Sequence, residues 1–243
     1  MKRSLRKKVE RGERKRRLIE PPDRYHEWLE CFFGRIRPGF DPWADGDGFE
    51  FDAPGQQLLQ LLEYTMLHCG RDLSRFTDQQ LGFGLNAMLM GNYSNLPHDL
   101  IKAQVDPADK LGAVRSIKFL YSDCLSRRAP PVLGHLSETS ENPLASLKYM
   151  LWDVSALKAW IGVRNEVTGR SALVETLGDV LALPKPNPAC IESVLHGFNH
   201  MVFAHPKHRD QIIGLIDDLI RTSPLGRPEL LQYAEWAKTG RLQ

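Results

Sequence analysis

The chain has 243 residues, 42% of them apolar and 26% charged, with a formal net charge of +2. That length can bury one large core or two small ones. No stretch approaches the roughly 18 uninterrupted apolar residues of a membrane span, and the basic N-terminus lacks the apolar region of a secretory signal. Cys31, Cys69, Cys124 and Cys190 are scattered without a C-x-x-C pair, which fits buried thiols in a reducing cytoplasm.

In chain order, the first feature is a basic arm. Residues 1–17 hold ten Lys or Arg against Glu10 and Glu13, a balance of +8 that leaves −6 on the remainder. Only Leu5 and Val9 are aliphatic there, so the arm has no apolar face for a membrane or a core. One reading is an electrostatic handle for nucleic acid. Arg3, Arg6, Lys7, Lys8, Arg14, Lys15, Arg16 and Arg17 would then neutralise phosphates in a salt-dependent, sequence-blind way. The other is a solvated tail, disordered or folded back on an acidic body, and the absence of a basic signature in that body favours it.

Residues 21–243 read as one all-helical body, with an irregular stretch at 129–142 as a sub-boundary if there is one. Tyr25, Trp28, Leu29 and Phe32 fall at helical spacing after Pro21-Pro22-Asp23. Residues 37–55 are a loop rich in Gly, Pro and Asp. Helices are expected over Gln56–Leu67 and Asp78–Met90, the second opened by Thr77 and Gln80 as a capping box. Gly82 and Gly84 within it suit close helix packing. Asn92–Pro97 reads as a loop, Asp106-Pro107-Ala108-Asp109 as a strong helix start, and shorter helices follow at Leu144–Trp152, Ser155–Ile161 and Ser171–Leu181. The last quarter predicts three helices joined by short turns. Asn187 caps the first with Pro188 at its first position, Pro206 and Pro224 separate the elements, and Gly240 closes the third. Connections this short predict an antiparallel array of HEAT-like helix pairs, although no internal repeat is evident.

The sharpest polar constellation is Glu192, His196 and His200, in line along one helix and nearly opposite its apolar stripe. His at i and i+4 can hold one divalent metal ion. Glu192 and His200 are eight residues apart, about 12 Å along a helix, so one ion takes two of the three and further ligands must come from elsewhere, His205, His208 and Asp210 being nearby. The competing reading is a helix between two neighbours whose second face hydrogen-bonds across the interface, and Phe203 on that side suggests a covered face. A second pattern, His68, the doublet His98-Asp99 and a later Asp153, is similar to the HD-type metal phosphohydrolases. Pro97 beside the doublet departs from the helical setting such a site needs. The loop Asp41–Gly48 fails as a calcium loop on register, and no nucleophile elbow, phosphate loop or dinucleotide fingerprint occurs. Trp152, Trp160 and Trp236 are read as buried between layers rather than as a partner groove.

The segments Leu147–Asp153, Glu192–His200 and Tyr233–Gly240 resemble a family of uncharacterised bacterial helical proteins. That resemblance implies an all-helical, HEAT-like body and no activity. With no catalytic signature, the function expected from sequence is binding of a partner protein by the helical array without a cofactor. The alternatives are a metal-dependent enzyme using His196 and His200, and nucleic-acid association through the arm.

Overall fold

The computed structural model describes residues 20–37, 39–40, 49–154, 167–184, 187–222 and 225–241. The basic arm, the Asp-rich loop at 41–48 and the helix expected at Ser155–Ile161 lie outside them. Among the described residues the protein is all-α, ten helices without a strand. These are α1 (Tyr25–Leu29, continued by a π-helical turn, Glu30–Gly34), α2 (Gly55–Asp72), α3 (Asp78–Leu89), α4 (Leu96–Lys102) and α5 (Pro107–Phe119, continued by a π-helical stretch, Leu120–Leu125, to Arg128). After a 3-10 turn at Gly134–Leu136 come α6 (Leu144–Val154), α7 (Val167–Leu181), α8 (Pro188–Ala204), α9 (Arg209–Thr222) and α10 (Pro228–Ala237). Among the described residues no helix is long and apolar enough to cross a membrane.

The helix starts follow from local chemistry. Gln80 donates its N–H to Thr77 Oγ1 at 3.2 Å and accepts from the Thr77 N–H through Oε1 at 2.9 Å, completing the capping box of α3. Asp106 Oδ1 accepts from Ala108 N at 2.7 Å, and Asn187 Oδ1 from Ala189 N at 2.9 Å, each followed by proline in the first turn. Those side chains satisfy backbone donors that a helix N-terminus leaves without a partner. Gly240, at φ +68°, turns the chain after α10, and a Cβ there would come within 3.0 Å of the Phe203 backbone nitrogen. Helix α4 is the departure from expectation. Its seven residues are too few to show periodicity, and Pro97, read as part of a loop, sits in its first turn.

Helix α2 packs along α5, α5 along α7, α3 along α6, and α8 against α6, α7, α9 and α10. The buried side chains form one connected core running from Tyr25 to Ala237. Close approach at α3 depends on its glycines. A Cβ on Gly82 would lie 2.6 Å from Pro143 Cβ, and one on Gly84 would lie 2.5 Å from the Phe32 carbonyl oxygen. Arg128 ties the first half together by donating to Asp78 Oδ1 and to the carbonyls of Leu73 and Phe76 at 2.8, 3.2 and 2.8 Å. Asn142 reaches the other Asp78 oxygen at 2.7 Å.

Helix α8 is the element that positions the site. It is buried nearly all round, because its apolar positions (Ile191, Val194, Leu195, Phe198, Val202) and its polar ones (Glu192, Ser193, His196, Asn199) are both covered. Ser193 Oγ donates to the Lys148 carbonyl at 2.6 Å and lies 2.7 Å from Tyr121 Oη, which accepts from Trp152 Nε1 at 3.1 Å. At Gly197 a Cβ would stand 2.9 Å from Trp152 Cγ, so this glycine lets the indole of α6 lie against the α8 backbone. Trp152 is buried and Trp236 partly so; Trp160 lies outside the described residues. Phe203, in contrast, is 68% exposed, so it does not mark a covered face as the sequence suggested.

Candidate metal centre

The polar seam of α8 meets α6 on one side and α10 on the other. His196 Nε2 lies 3.1 and 3.0 Å from the two carboxylate oxygens of Asp153, and His200 Nε2 lies 2.8 Å from Asp153 Oδ1. The two Nε2 atoms are 3.2 Å from one another. One ligand atom from each of the three residues falls within 4.8 Å of the others, and among the described residues no fourth His, Cys, Asp or Glu joins the group. With zinc-to-nitrogen and zinc-to-oxygen bonds of about 2.0–2.2 Å, neighbouring ligands on a tetrahedron stand about 3.3 Å apart. The observed separations, 2.8 to 3.2 Å, are shorter than that edge by at most about half an ångström. Both imidazoles are buried, and the Asp153 side chain, 27% exposed, leaves one side of the group accessible.

The tautomer of His196 is set from behind. Its Nδ1 lies 2.8 Å from Tyr233 Oη, and the Tyr233 hydroxyl bonds to that of Tyr149. With the Tyr233 proton directed to Tyr149, His196 Nδ1–H donates to Tyr233 and its Nε2 presents a lone pair to the cluster. That lone pair then faces two carboxylate oxygens and a second imidazole nitrogen. A single proton satisfies one of those contacts, whereas a divalent cation satisfies all three. Burial, the largest cause, raises the Tyr233 hydroxyl well above the usual phenol range and the Tyr149 hydroxyl in the same direction, so both stay protonated as hydrogen-bonding groups.

Glu192 belongs to the same helix face but not to the group. Its fully buried carboxylate accepts from the backbone N–H of Gly134 and His135, both at 2.9 Å, and lies 2.6 Å from His135 Nδ1. Lys148 Nζ stands 3.9 Å away and donates to the Val132 carbonyl at 2.7 Å. Burial lowers the Lys148 ammonium below its usual value, against the pull of Glu192. The 129–142 stretch is therefore pinned onto α8 and α6 by a buried ionic knot. Glu192 acts as its anchor, a correction to its place beside the two histidines as a ligand. The His135 ring in turn stacks on Tyr233 with centroids 4.3 Å apart, which links the anchor to the ring that holds His196.

The other candidates separate. His98 and Asp99 are exposed on α4, while His68 is buried in α2 with its ring 4.1 Å from that of Tyr64. No group of three potential ligands among the described residues includes them. Nor does one include His205, His208 or Asp210. Asp153, considered with the doublet from sequence, instead completes the α8 pair. The only sequence signal for that role is a carboxylate near the end of an apolar helix. The arm residues Arg3 to Arg17 lie outside the described residues. The segments Leu147–Asp153, Glu192–His200 and Tyr233–Gly240 meet here, supplying Asp153, the α8 face and Tyr233 in turn. No family model, curated protein or solved structure matches the chain.

Proposed function

We propose that this protein binds a divalent transition-metal ion through His196 Nε2, His200 Nε2 and the Asp153 carboxylate, and that it is a metal-dependent enzyme of the hydrolytic class. The observation that carries the reading is the convergence of three ligand atoms with a tetrahedron's spacing on a buried helix face. Two neutral imidazoles and a carboxylate suit zinc and its neighbours better than calcium or magnesium, which take oxygen ligands. Three protein ligands leave a fourth position for water or substrate, as catalytic sites do and closed structural sites do not. A bound ion would lower the pKa of that water toward neutrality and polarise an acceptor oxygen. The chain's own contribution is to fix the ligands. Tyr233 holds His196 in the metal-ready tautomer, Gly197 sets the α6–α8 approach that brings Asp153 into reach, and the Glu192 knot supports His135 behind Tyr233.

The deciding experiment is elemental analysis of purified full-length protein alongside His196→Ala/His200→Ala. The expected result is about one equivalent of a first-row transition metal in the wild type and less than a tenth of that in the folded double variant. Wild-type protein that takes up no metal under zinc or cobalt dialysis would sink the proposal, as would a double variant that keeps its metal.

A second reading is recognition of a protein partner by an antiparallel, HEAT-like array of these helices. Its support is Phe203, which exposes most of its ring at the end of α8, where a lone large apolar side chain is a natural anchor. Capture of a single protein from lysate, lost on Phe203→Asp with the fold intact, is the outcome it requires.

A further inference from the structure

Beside the metal group lies a second feature that its ligand set does not explain. A small cavity sits between α6, α7 and α8, walled by Trp152, Leu173 and Met201, with Arg170, His200 and His205 as its polar groups. His200 is thus a wall of the cavity as well as a member of the metal group. Arg170 is partly buried, yet among the described residues no hydrogen bond or ion pair engages its guanidinium. The charge is felt nearby, because burial and, after it, the Arg170 cation both lower the pKa of the His205 imidazolium. A guanidinium without a carboxylate partner keeps its planar fork of donors available, and that fork is matched by a carboxylate.

The charge count strengthens the point. A divalent ion with two neutral imidazoles and one carboxylate carries a net positive charge, and Arg170, which lines the same cavity as His200, adds another. Among the described residues no Asp or Glu lines the cavity to offset them. The cavity volume is about 30 Å³, room on the order of two water molecules by the same measure. That matches the two oxygens of a carboxylate and is small for the four of a phosphate.

Resting on the metal reading above, we infer that this cavity receives a carboxylate group of the ligand on which the metal centre acts, with Arg170 as the residue that binds it. Substrates of this class are small carboxylic acids or compounds ending in a carboxylate, held at the charged end by Arg170 and presented to the open side of the metal.

Cobalt-loaded protein provides the test, because its visible spectrum reports the coordination sphere. Acetate is titrated into the wild type, Arg170→Met and Arg170→Lys, with inorganic phosphate as the parallel arm. The expected result is equal cobalt stoichiometry in all three proteins. Acetate perturbs the wild-type bands, Arg170→Met needs at least tenfold more acetate, and Arg170→Lys, which keeps charge but loses the fork, lies between. Equal acetate dependence in wild type and variants, with cobalt bound, overturns this inference and leaves the metal centre standing. Phosphate acting at lower concentration than acetate overturns the carboxylate assignment. Failure of the wild type to take up cobalt overturns both. If Arg170→Met does not fold, the comparison of wild type with Arg170→Lys decides by the same criterion.

Discussion

The Nε2 atoms of His196 and His200 stand 3.2 Å apart, both turned toward the carboxylate of Asp153. Two imidazole nitrogens at that distance share at most one proton, and with His196 bonded through Nδ1 to Tyr233 its Nε2 is left as an acceptor facing acceptors. A proton on either nitrogen satisfies part of this set of contacts, whereas a divalent cation placed among the three groups would satisfy all of them.

Zinc should accordingly stabilise the wild type and not the His196→Ala/His200→Ala variant. At a free concentration one hundred times the dissociation constant, the linkage contributes about 2.7 kcal/mol. For a chain of this size that raises the melting temperature by roughly 5–10 °C. Thermal melts of chelator-treated protein with and without added zinc read the effect; an equal shift in the double variant assigns the binding to another site.

Tyr233→Phe removes one hydroxyl and leaves the ring that stacks on His135. The His196 tautomer is then no longer fixed, and metal affinity should fall by about 10–100-fold, the usual effect of losing a partner behind a ligating histidine. Competition against a chromophoric chelator measures it, with a circular dichroism melt to show that the fold persists. Unchanged affinity would remove Tyr233 from the metal's support.

How much of this was legible in the sequence differs from residue to residue. The helix α8, its Asn187-Pro188 start and the alignment of His196 with His200 follow from local spacing, which is fixed by the 3.6-residue turn. The capping box at Thr77 and the close-packing role of Gly82 and Gly84 are local in the same sense. Asp153 was not legible as their companion, because it lies 43 residues before His196 and arrives by the packing of α6 on α8, a tertiary event that no periodicity records. Glu192 was misplaced for the same reason. Its partners come from the 129–142 stretch, whose irregular sequence hides where it docks. Phe203 shows the opposite failure, an apolar residue that helical spacing suggested would be covered and that the ends of the neighbouring helices leave bare.

Glu192→Gln should destabilise the protein by about 3–5 kcal/mol, the cost of breaking a buried ionic network from one side. The carboxylate accepts three donors with its two oxygens, and an amide must turn an NH2 toward at least one of them, leaving Lys148 buried without its anion. Metal stoichiometry should survive in whatever fraction remains folded, since Glu192 ligates nothing. Denaturant unfolding with parallel metal analysis separates the two; loss of metal with stability intact would return Glu192 to the site.

Gly84→Ala tests whether the α1–α3 contact is as close as the structure places it. The added methyl meets the Phe32 carbonyl oxygen at 2.5 Å together with the Phe33 ring, and neither can withdraw without moving the π-helical end of α1. Overpacking of this kind costs about 1–3 kcal/mol, more than the gain of up to about 1 kcal/mol in helix propensity on replacing glycine by alanine. A variant more stable than the wild type, by urea titration, would show that α1 yields freely.

Glu138 and Arg227 make one part of the protein's stability depend on pH in the acid range. The Arg227 guanidinium and the Leu133 N–H hold the Glu138 carboxyl down at about 2, against an ordinary value of 4.5. A carboxyl whose pKa is depressed on folding contributes stability that is fully present above its unfolded value. As pH falls from about 4.5 toward about 2 the unfolded chain takes up the proton first, and that contribution drains away. The pair is about one-third exposed, so salt screens it and the effect is modest. Glu138→Gln should lower stability at neutral pH and flatten the profile between pH 4.5 and 2, so that the two proteins converge at the acid end. Parallel profiles across that window would show that the Glu138–Arg227 contact contributes nothing to holding α10 against the 129–142 stretch.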